Sequence, residues 1–276
     1  MLALKRVRTE IAINAKYRGA DKIKMDKELL LARRSVLNGT LAKIEFKSSY
    51  WTMAKSQLKK ESFGKCAYCE ANTAVVAHGD VEHYRPKSVY WWLAYTYDNY
   101  LFACQICNQT YKSDNFPIGG ALFSEPVISA TMTDVAIDNL SGKISPDPID
   151  IDVNYTLQQY LNKHKTEKAY LINPYFDDPS VFFAYKADDV TEEVTIIPTK
   201  AKYANQVKAA EDFYGLNRLE LKNFRYQTFS IFRVFKEAHK QLSDSTTKNQ
   251  ILKQIERMKS DKYLFAAMNR YFDTKL

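Results

Sequence analysis

Apolar positions recur at helical spacing in residues 27 to 37, KELLLARRSVL, and again in residues 50 to 62, YWTMAKSQLKKES, so the first part of the chain predicts two helices, the second ending near Gly64. The signal then changes. From Ala74 to Tyr84, the β-branched Val75 and Val76, a turn at Gly79-Asp80 and then Val81 predict a β-hairpin or two short strands, which Pro86 stops. Cys104 to Ser113 reads as the start of a helix, and Pro117 with Gly119-Gly120 closes that unit. Residues 121 to 200 carry SGK, SPDP, NP and DDPS turn clusters between short apolar pieces at Tyr170 to Asn173, Val181 to Tyr185 and Val194 to Ile197, which predicts short strands joined by loops. From about Lys202 the pattern is helical, with Leu221, Phe224, Thr228, Phe229, Phe232 and Phe235 on one face; an aromatic stripe at this spacing belongs to packing. The fold class expected is α+β, without internal repeats.

Composition fits a globular chain: 276 residues, 46% hydrophobic and 26% charged. The opening stretch MLALKRVRTEIAINAKYRG is interrupted by charges and lacks the apolar core of a secretory signal, and no later stretch is long and apolar enough for a membrane span. A cytoplasmic location with no membrane partner is therefore expected. The net charge of +8 is unevenly spread. Residues 1 to 70 carry 16 basic and 7 acidic side chains, residues 71 to 120 carry 3 and 4, residues 121 to 200 carry 6 and 13, and residues 201 to 276 carry 15 and 8. Two basic arms thus flank an acidic middle. The arms supply either a phosphate-attracting field or simply solvated lysine-rich helices.

Candidate chemistry concentrates in KCAYCEANTAVVAHGDVEHYRPK, Lys65 to Lys87. All four cysteines fall in two C-x-x-C pairs, Cys66/Cys69 and Cys104/Cys107. In a reducing compartment that pattern favours a structural Zn²⁺ over disulfides, with a thioredoxin-like redox pair as the competing reading. Between the pairs lie Glu82-His83 and Asn99, and Asn108 follows the last cysteine. A two-strand piece and a helix held at both ends by one zinc would bring these side chains to one point.

The stretches CxxC, VEHYRPK, YDNYLFACQICNQTYK and NFP, over roughly Lys65 to Ile118, resemble an HNH endonuclease of the ββα-metal type with a zinc-stapled core. YLINPYFDDPSVFFAY and AEDFYGLNRLELKNFR further resemble the PtuB-like HNH subunit of Septu-type anti-phage systems, found also with some retrons. Pattern and charge, with the resemblance naming the core, lead us to expect four segments: a helical basic N-terminal arm (1–62), an HNH core with its zinc site (63–120), an acidic α+β insertion (121–200) and a helical basic C-terminal segment (201–276). The resemblance also implies roles. His83 is the general base, Glu82 and Asn108 are ligands of a catalytic divalent ion, Asn99 steadies the loop, and hydrolysis leaves a 5′-phosphate.

The chemistry of these residue types agrees with those roles. A neutral imidazole titrating near pH 7 can take a proton from water, and a hard cation prefers the oxygens of Glu82 and Asn108. Glu82 stands where Asp is frequent and Asn108 where a final His is frequent, which favours Mg²⁺ or Mn²⁺ over softer metals. Arg85, Lys87 and Lys112 are candidates for gripping phosphates. Tyr84, Tyr90, Trp91, Trp92 and Tyr95 read as a small apolar cluster, Asp80 as a turn residue, and His78, His164 and His239 as loop or surface residues.

The expected partners are nucleic acid, DNA ahead of RNA, and, as the resemblance implies, a PtuA-like ATPase; the chain has no GxxxxGK(S/T) loop, so any nucleotide-dependent gating is expected from another protein. The acidic 121–200 segment is the expected docking face for that ATPase. Two alternatives stand beside this reading: an RNase acting on structured RNA such as tRNA with the same site, and a catalytically inactive zinc-containing binding module.

Overall fold

A computed structural model describes residues 1–73, 78–149 and 154–276. The expected strand residues Val75 and Val76 lie outside the described residues. Helix α1 runs Gly19–Leu37, eight residues earlier than hydrophobic pattern alone places it. Its buried face is Lys22, Met25, Asp26, Leu29 and Leu30, a 3.6-residue stripe whose first half is an ion pair. Lys22 Nζ lies 2.8 Å from Asp26 Oδ2, and Asp26 also accepts from Gly142 N–H (3.2 Å). Where one helix is predicted over residues 50 to 62, the chain makes two, α2 (Ser49–Thr52) and α3 (Lys55–Glu61).

Strand β1 is Asp80–His83 and β2 is Tyr100–Ala103, paired antiparallel with Asp80 opposite Ala103 and His83 opposite Tyr100. Asp80 is therefore a strand residue, not a turn residue, and β1's described partner is a strand that pattern did not announce. Every residue of β2 is buried, so its sequence YLFA shows no alternation. Successive side chains nevertheless leave on opposite faces. Tyr100 and Phe102 enter one apolar core with α1, α3, Trp91 and Trp92, while Leu101 and Ala103 enter a second with the cysteine pairs and the C-terminal helices. After β2, Ile106–Lys112 is helical but wound as a π-helix, with Ser113 N–H donating to Asn108 O (2.8 Å).

Helix α4 (Asp134–Leu140) is capped by Thr133, and α5 (Leu157–Glu167) by a capping box in which Thr156 and Gln159 exchange hydrogen bonds. The short α6 (Pro179–Phe182) leads into a second antiparallel pair, β3 (Phe183–Asp188) and β4 (Glu193–Pro198), where two of the three predicted strands fall. Tyr170 to Asn173 is not a strand. Helices α7 (Ala204–Tyr214), α8 (Leu219–Gln241), α9 (Ser245–Lys259) and α10 (Ala266–Asp273) complete the chain. On α8, Leu221, Thr228, Phe229 and Phe232 are buried, as a packing stripe requires, and Phe224 remains partly exposed. The α7–α8 corner packs on the π-helix at Gly215, whose φ of +62° suits glycine and where a Cβ would stand 2.6 Å from the Tyr111 ring. Among the described residues no helix is long and apolar enough to cross a membrane.

Candidate metal centre and adjoining cleft

Both cysteine pairs sit on tight turns anchored to β2. Cys66 N–H donates to Ala71 O (2.9 Å), Glu70 N–H to Cys66 O (3.0 Å), and Ala67 N–H to Phe102 O (2.9 Å), which docks the first turn on the strand. Cys104 follows β2 directly, and Cys107 N–H points at its sulfur (3.4 Å). All four thiols are free, and their sulfurs lie within 4.8 Å of one another. A tetrahedral Zn²⁺ with Zn–S bonds of about 2.3 Å spaces its sulfurs about 3.8 Å apart, so the cluster fits one such ion. An all-sulfur donor set selects a soft or borderline metal, and zinc is the usual occupant. Hydrogen bonds from Cys104, Cys107 and Cys66 hold the Cys69 thiol well below the usual range, while burial pushes Cys66 up. Arg218, at the start of α8, brings Nη1 to 3.6 Å from Cys107 Sγ and offers a thiolate both charge and a donor. The four cysteines can therefore hold a structural metal such as zinc.

One residue beyond Cys107 the π-helix reaches a cleft of about 330 Å³ bordered by Glu82, His83, Asn108, Lys87, Trp51 and Asp114. Glu82, His83 and Asn108, 26 positions apart in sequence, thus share one concavity. The Glu82 carboxylate is buried; its Oε1 receives Lys112 Nζ at 2.7 Å and the Tyr68 hydroxyl at 3.4 Å, and among the described residues its Oε2 has no partner. Burial pushes its pKa up, against the pull of Lys112. His83 Nε2 lies 2.9 Å from Ala94 O, with Trp51 and Tyr100 edge-on at 5.0 and 5.1 Å between ring centroids. A carbonyl only accepts, so Nε2 carries the proton and the neutral ring keeps its lone pair on Nδ1. Burial, with Lys87 and Lys112 nearby, pushes this imidazole down to about 3 despite the Ala94 bond, so it does not titrate near 7 as a free histidine would.

Asn99 does not border the cleft. Its fully buried amide accepts from Arg85 N–H (2.8 Å) and donates to Arg85 O (2.9 Å) and Leu93 O (3.3 Å), tying together the loop after β1. Of the three proposed phosphate contacts, two are enclosed. Arg85 is fully buried, with Nη2 2.6 Å and Nε 2.8 Å from Glu167 Oε2, and with Tyr160 and His164 as further partners. Lys112 is equally buried, its ammonium shared by Glu82 and His83 O (2.9 Å). Neither presents a free charge to a phosphate; Lys87, over the Trp51 ring at 5.6 Å, is the one of the three that borders the cleft.

His164 is likewise not at the surface: its ring is buried between Arg85 and Asp177. His78 is exposed and His239 half-buried. Tyr84, Tyr90, Trp91, Trp92 and Tyr95 are all core. Asp80 sits beside the π-helix, its carboxylate accepting from Gln109 Nε2 (3.0 Å). Trp51 and Asp114 are cleft residues that pattern reading did not single out. Trp51 carries no signal beyond its place on a predicted helix, whereas Asp114, in a short polar turn directly after the helix bearing Asn108, was recoverable.

No protein-family model and no solved structure matches the chain. One curated protein does: the chain is 34% identical over 105 residues to Septu protein PtuB of Bacillus mycoides (strain KBAB4), a match covering 33% of this chain and 35% of that protein. The chain therefore spans about a third of its relative's length in that match, and over this part it is PtuB-like in sequence.

Proposed function

We propose that this chain is a metal-dependent endonuclease of the HNH type that hydrolyses phosphodiester bonds, with DNA as the favoured substrate. The observation that carries the reading is the convergence of Glu82, His83 and Asn108 on one cleft beside a four-cysteine metal site. The hairpin of β1 and β2 followed by a helix that starts in the cysteine cluster is the arrangement a ββα-metal core requires. The donor set also fits: Glu82 Oε2 and the Asn108 amide supply the oxygens that a hard cation takes. When bound, Mg²⁺ or Mn²⁺ stabilises charge on the phosphate and on the leaving 3′-oxygen.

The chain's own groups do the rest. Ala94 O fixes the His83 tautomer, so that Nδ1 is the atom that accepts a proton from water. Burial keeps the imidazole in its neutral form, with the Nδ1 lone pair available for that proton. Lys87 is the cleft's phosphate contact, and the basic arms add longer-range attraction.

The likeness to Septu protein PtuB supports a role in anti-phage defence with a PtuA-like ATPase as partner. The test is digestion of plasmid DNA and of total tRNA in Mg²⁺ or Mn²⁺, with and without that partner, by wild type and by His83→Ala. His83-dependent cleavage of plasmid is expected. Equal cleavage by His83→Ala at matched purity and zinc content sinks the catalytic assignment, and cleavage of tRNA alone transfers the substrate to RNA.

A further inference from the structure

Lys112 is the residue that the cleft's chemistry leaves unexplained. A lysine with no solvent exposure is uncommon, and this one ends the π-helix that carries Asn108. Its ammonium spans to β1, where it meets the Glu82 carboxylate (2.7 Å) and the His83 carbonyl (2.9 Å). One group therefore holds the strand bearing Glu82 and His83 against the helix bearing Asn108. It also occupies Oε1 of Glu82 and turns the carboxylate so that Oε2 is the oxygen without a protein partner among the described residues.

The charge count follows from the same contacts. Glu82 and Lys112 cancel, Lys87 and Asp114, which also border the cleft, cancel in turn, and Asn108 carries no charge. The protein thus offers a divalent cation two oxygens and no net negative charge. Divalent-ion affinity rises with the number of negatively charged ligands, and Mg²⁺ in such sites is completed by substrate phosphate.

We propose that Lys112 is a built-in counter-cation and positioning residue of the centre, neutralising Glu82 so that a divalent ion is held firmly only when a substrate phosphate adds its negative charge. This rests on the nuclease reading of the cleft. Metal and nucleic acid then bind as a pair, each tightening the other by the same factor. Lys112 sets the size of that coupling, and the resting protein carries little catalytic metal.

The experiment is a Mn²⁺ titration of the full chain, followed by the electron paramagnetic resonance of free Mn²⁺, with and without a short DNA duplex. It is run on His83→Ala to prevent cleavage; Mn²⁺ does not displace a thiolate-bound zinc. Duplex is expected to tighten Mn²⁺ by about tenfold or more, and Mn²⁺ to tighten duplex equally. Lys112→Met should raise duplex-free Mn²⁺ affinity by about tenfold and shrink the coupling, whereas Lys112→Arg, which keeps the charge, should retain it. If Lys112→Met does not fold, the titration with Lys112 present decides alone: an Mn²⁺ affinity indifferent to duplex overturns the proposal. If cleavage by wild type depends on His83 while the coupling is absent, only the counter-cation fails. If no Mn²⁺ binds with or without duplex and cleavage ignores His83, the nuclease reading fails and the proposal falls with it.

Discussion

Arg85→Met removes a guanidinium that is enclosed on every side. Nε and Nη2 donate to Glu167 Oε2 at 2.8 and 2.6 Å, Nη1 donates to the Tyr160 hydroxyl at 3.1 Å, and Nη2 lies 3.2 Å from His164 Nδ1. The rings of Tyr84, Tyr90, Phe116, Phe123 and Tyr160 lie 5.4 to 5.9 Å from its Cζ. Both partners are fully buried, so the variant leaves the Glu167 carboxylate inside the protein with its counter-ion gone. Breaking one side of such a pair costs about 3–5 kcal/mol, because the surviving charge has lost both water and partner. With a urea dependence of about 3 kcal/mol per molar, the unfolding midpoint falls by about 1–2 M.

The assay is urea unfolding followed by far-ultraviolet circular dichroism and by the fluorescence of Trp91 and Trp92, which share a core with Phe123 and Tyr160. Arg85→Met/Glu167→Gln, with neither charge left, should recover about half of the loss or more. A phosphate-gripping arginine behaves differently: its loss leaves the midpoint alone and lowers the slope of log affinity against log salt by about 0.9. That behaviour is expected of Lys87→Ala. An Arg85→Met protein with an unchanged midpoint and a reduced salt slope would refute the buried-pair argument.

Three further outcomes follow from the same contacts. Cys107→Ser should reduce bound zinc from roughly one per chain to a small fraction and abolish cooperative unfolding of the cysteine-bearing half, since a structural zinc contributes about 10–16 kcal/mol, as much as a typical domain's whole stability; an unchanged midpoint in zinc-free protein, with metal content read by mass spectrometry, would speak against a structural metal. Asn99→Ala leaves Arg85 N–H and C=O buried without their partners, at about 1–3 kcal/mol each, and should lower kcat while leaving the affinity for DNA unchanged, because Asn99 positions the loop without facing the cleft; a loss confined to binding would contradict that. His83 has its folded pKa held down at about 3 against about 6.5 unfolded, so only the unfolded state takes up the proton between those values and its contribution to stability, complete above pH 6.5, is lost as pH falls; from pH 7.5 to 5.5 in Mg²⁺-free buffer the His83-dependent loss should be about 1.4 kcal/mol, measured as the difference from His83→Gln, and identical pH profiles for the two proteins would mean that the ring is not buried as neutral imidazole.

How much of this was legible in the sequence depends on whether a residue's partner is near it in the chain. The cysteine cluster was legible because each C-x-x-C is a local turn and the two pairs account for every cysteine. The grouping of Glu82, His83 and Asn108 was anticipated from their place between and beside those pairs. The environments of Arg85, Lys112 and His164 were not, because burial is decided by partners that local pattern does not announce: Glu167 for Arg85, Glu82 for Lys112, Asp177 for His164. A basic residue shows its charge in sequence but not whether a carboxylate already answers it. The start of α1 was hidden for the same reason, since its first buried turn is the ion pair of Lys22 and Asp26 where a hydrophobic stripe was sought. Strand β2 was hidden by burial on both faces, which removes the alternation that marks a strand.

These partners also explain why so small a site sits in so long a chain. Two four-residue strands are marginal on their own, and zinc fixes only the ends of the loop between its ligands. The run from Glu82 to Arg85 is instead held one residue at a time by different parts of the molecule. Glu82 is bound by the end of the π-helix, His83 by Ala94 O and Trp51, the Tyr84 hydroxyl by Leu171 O at 2.6 Å, and Arg85 by Glu167 of α5. Neighbouring side chains on a strand point to opposite faces, so no single packing layer could orient all four. A scaffold that reaches the strand from both sides is what lets Glu82 and His83, pointing apart, border the same cleft. The segments after residue 120 are accordingly part of the site's construction: Glu167 of α5, through Arg85, holds the backbone two residues from His83.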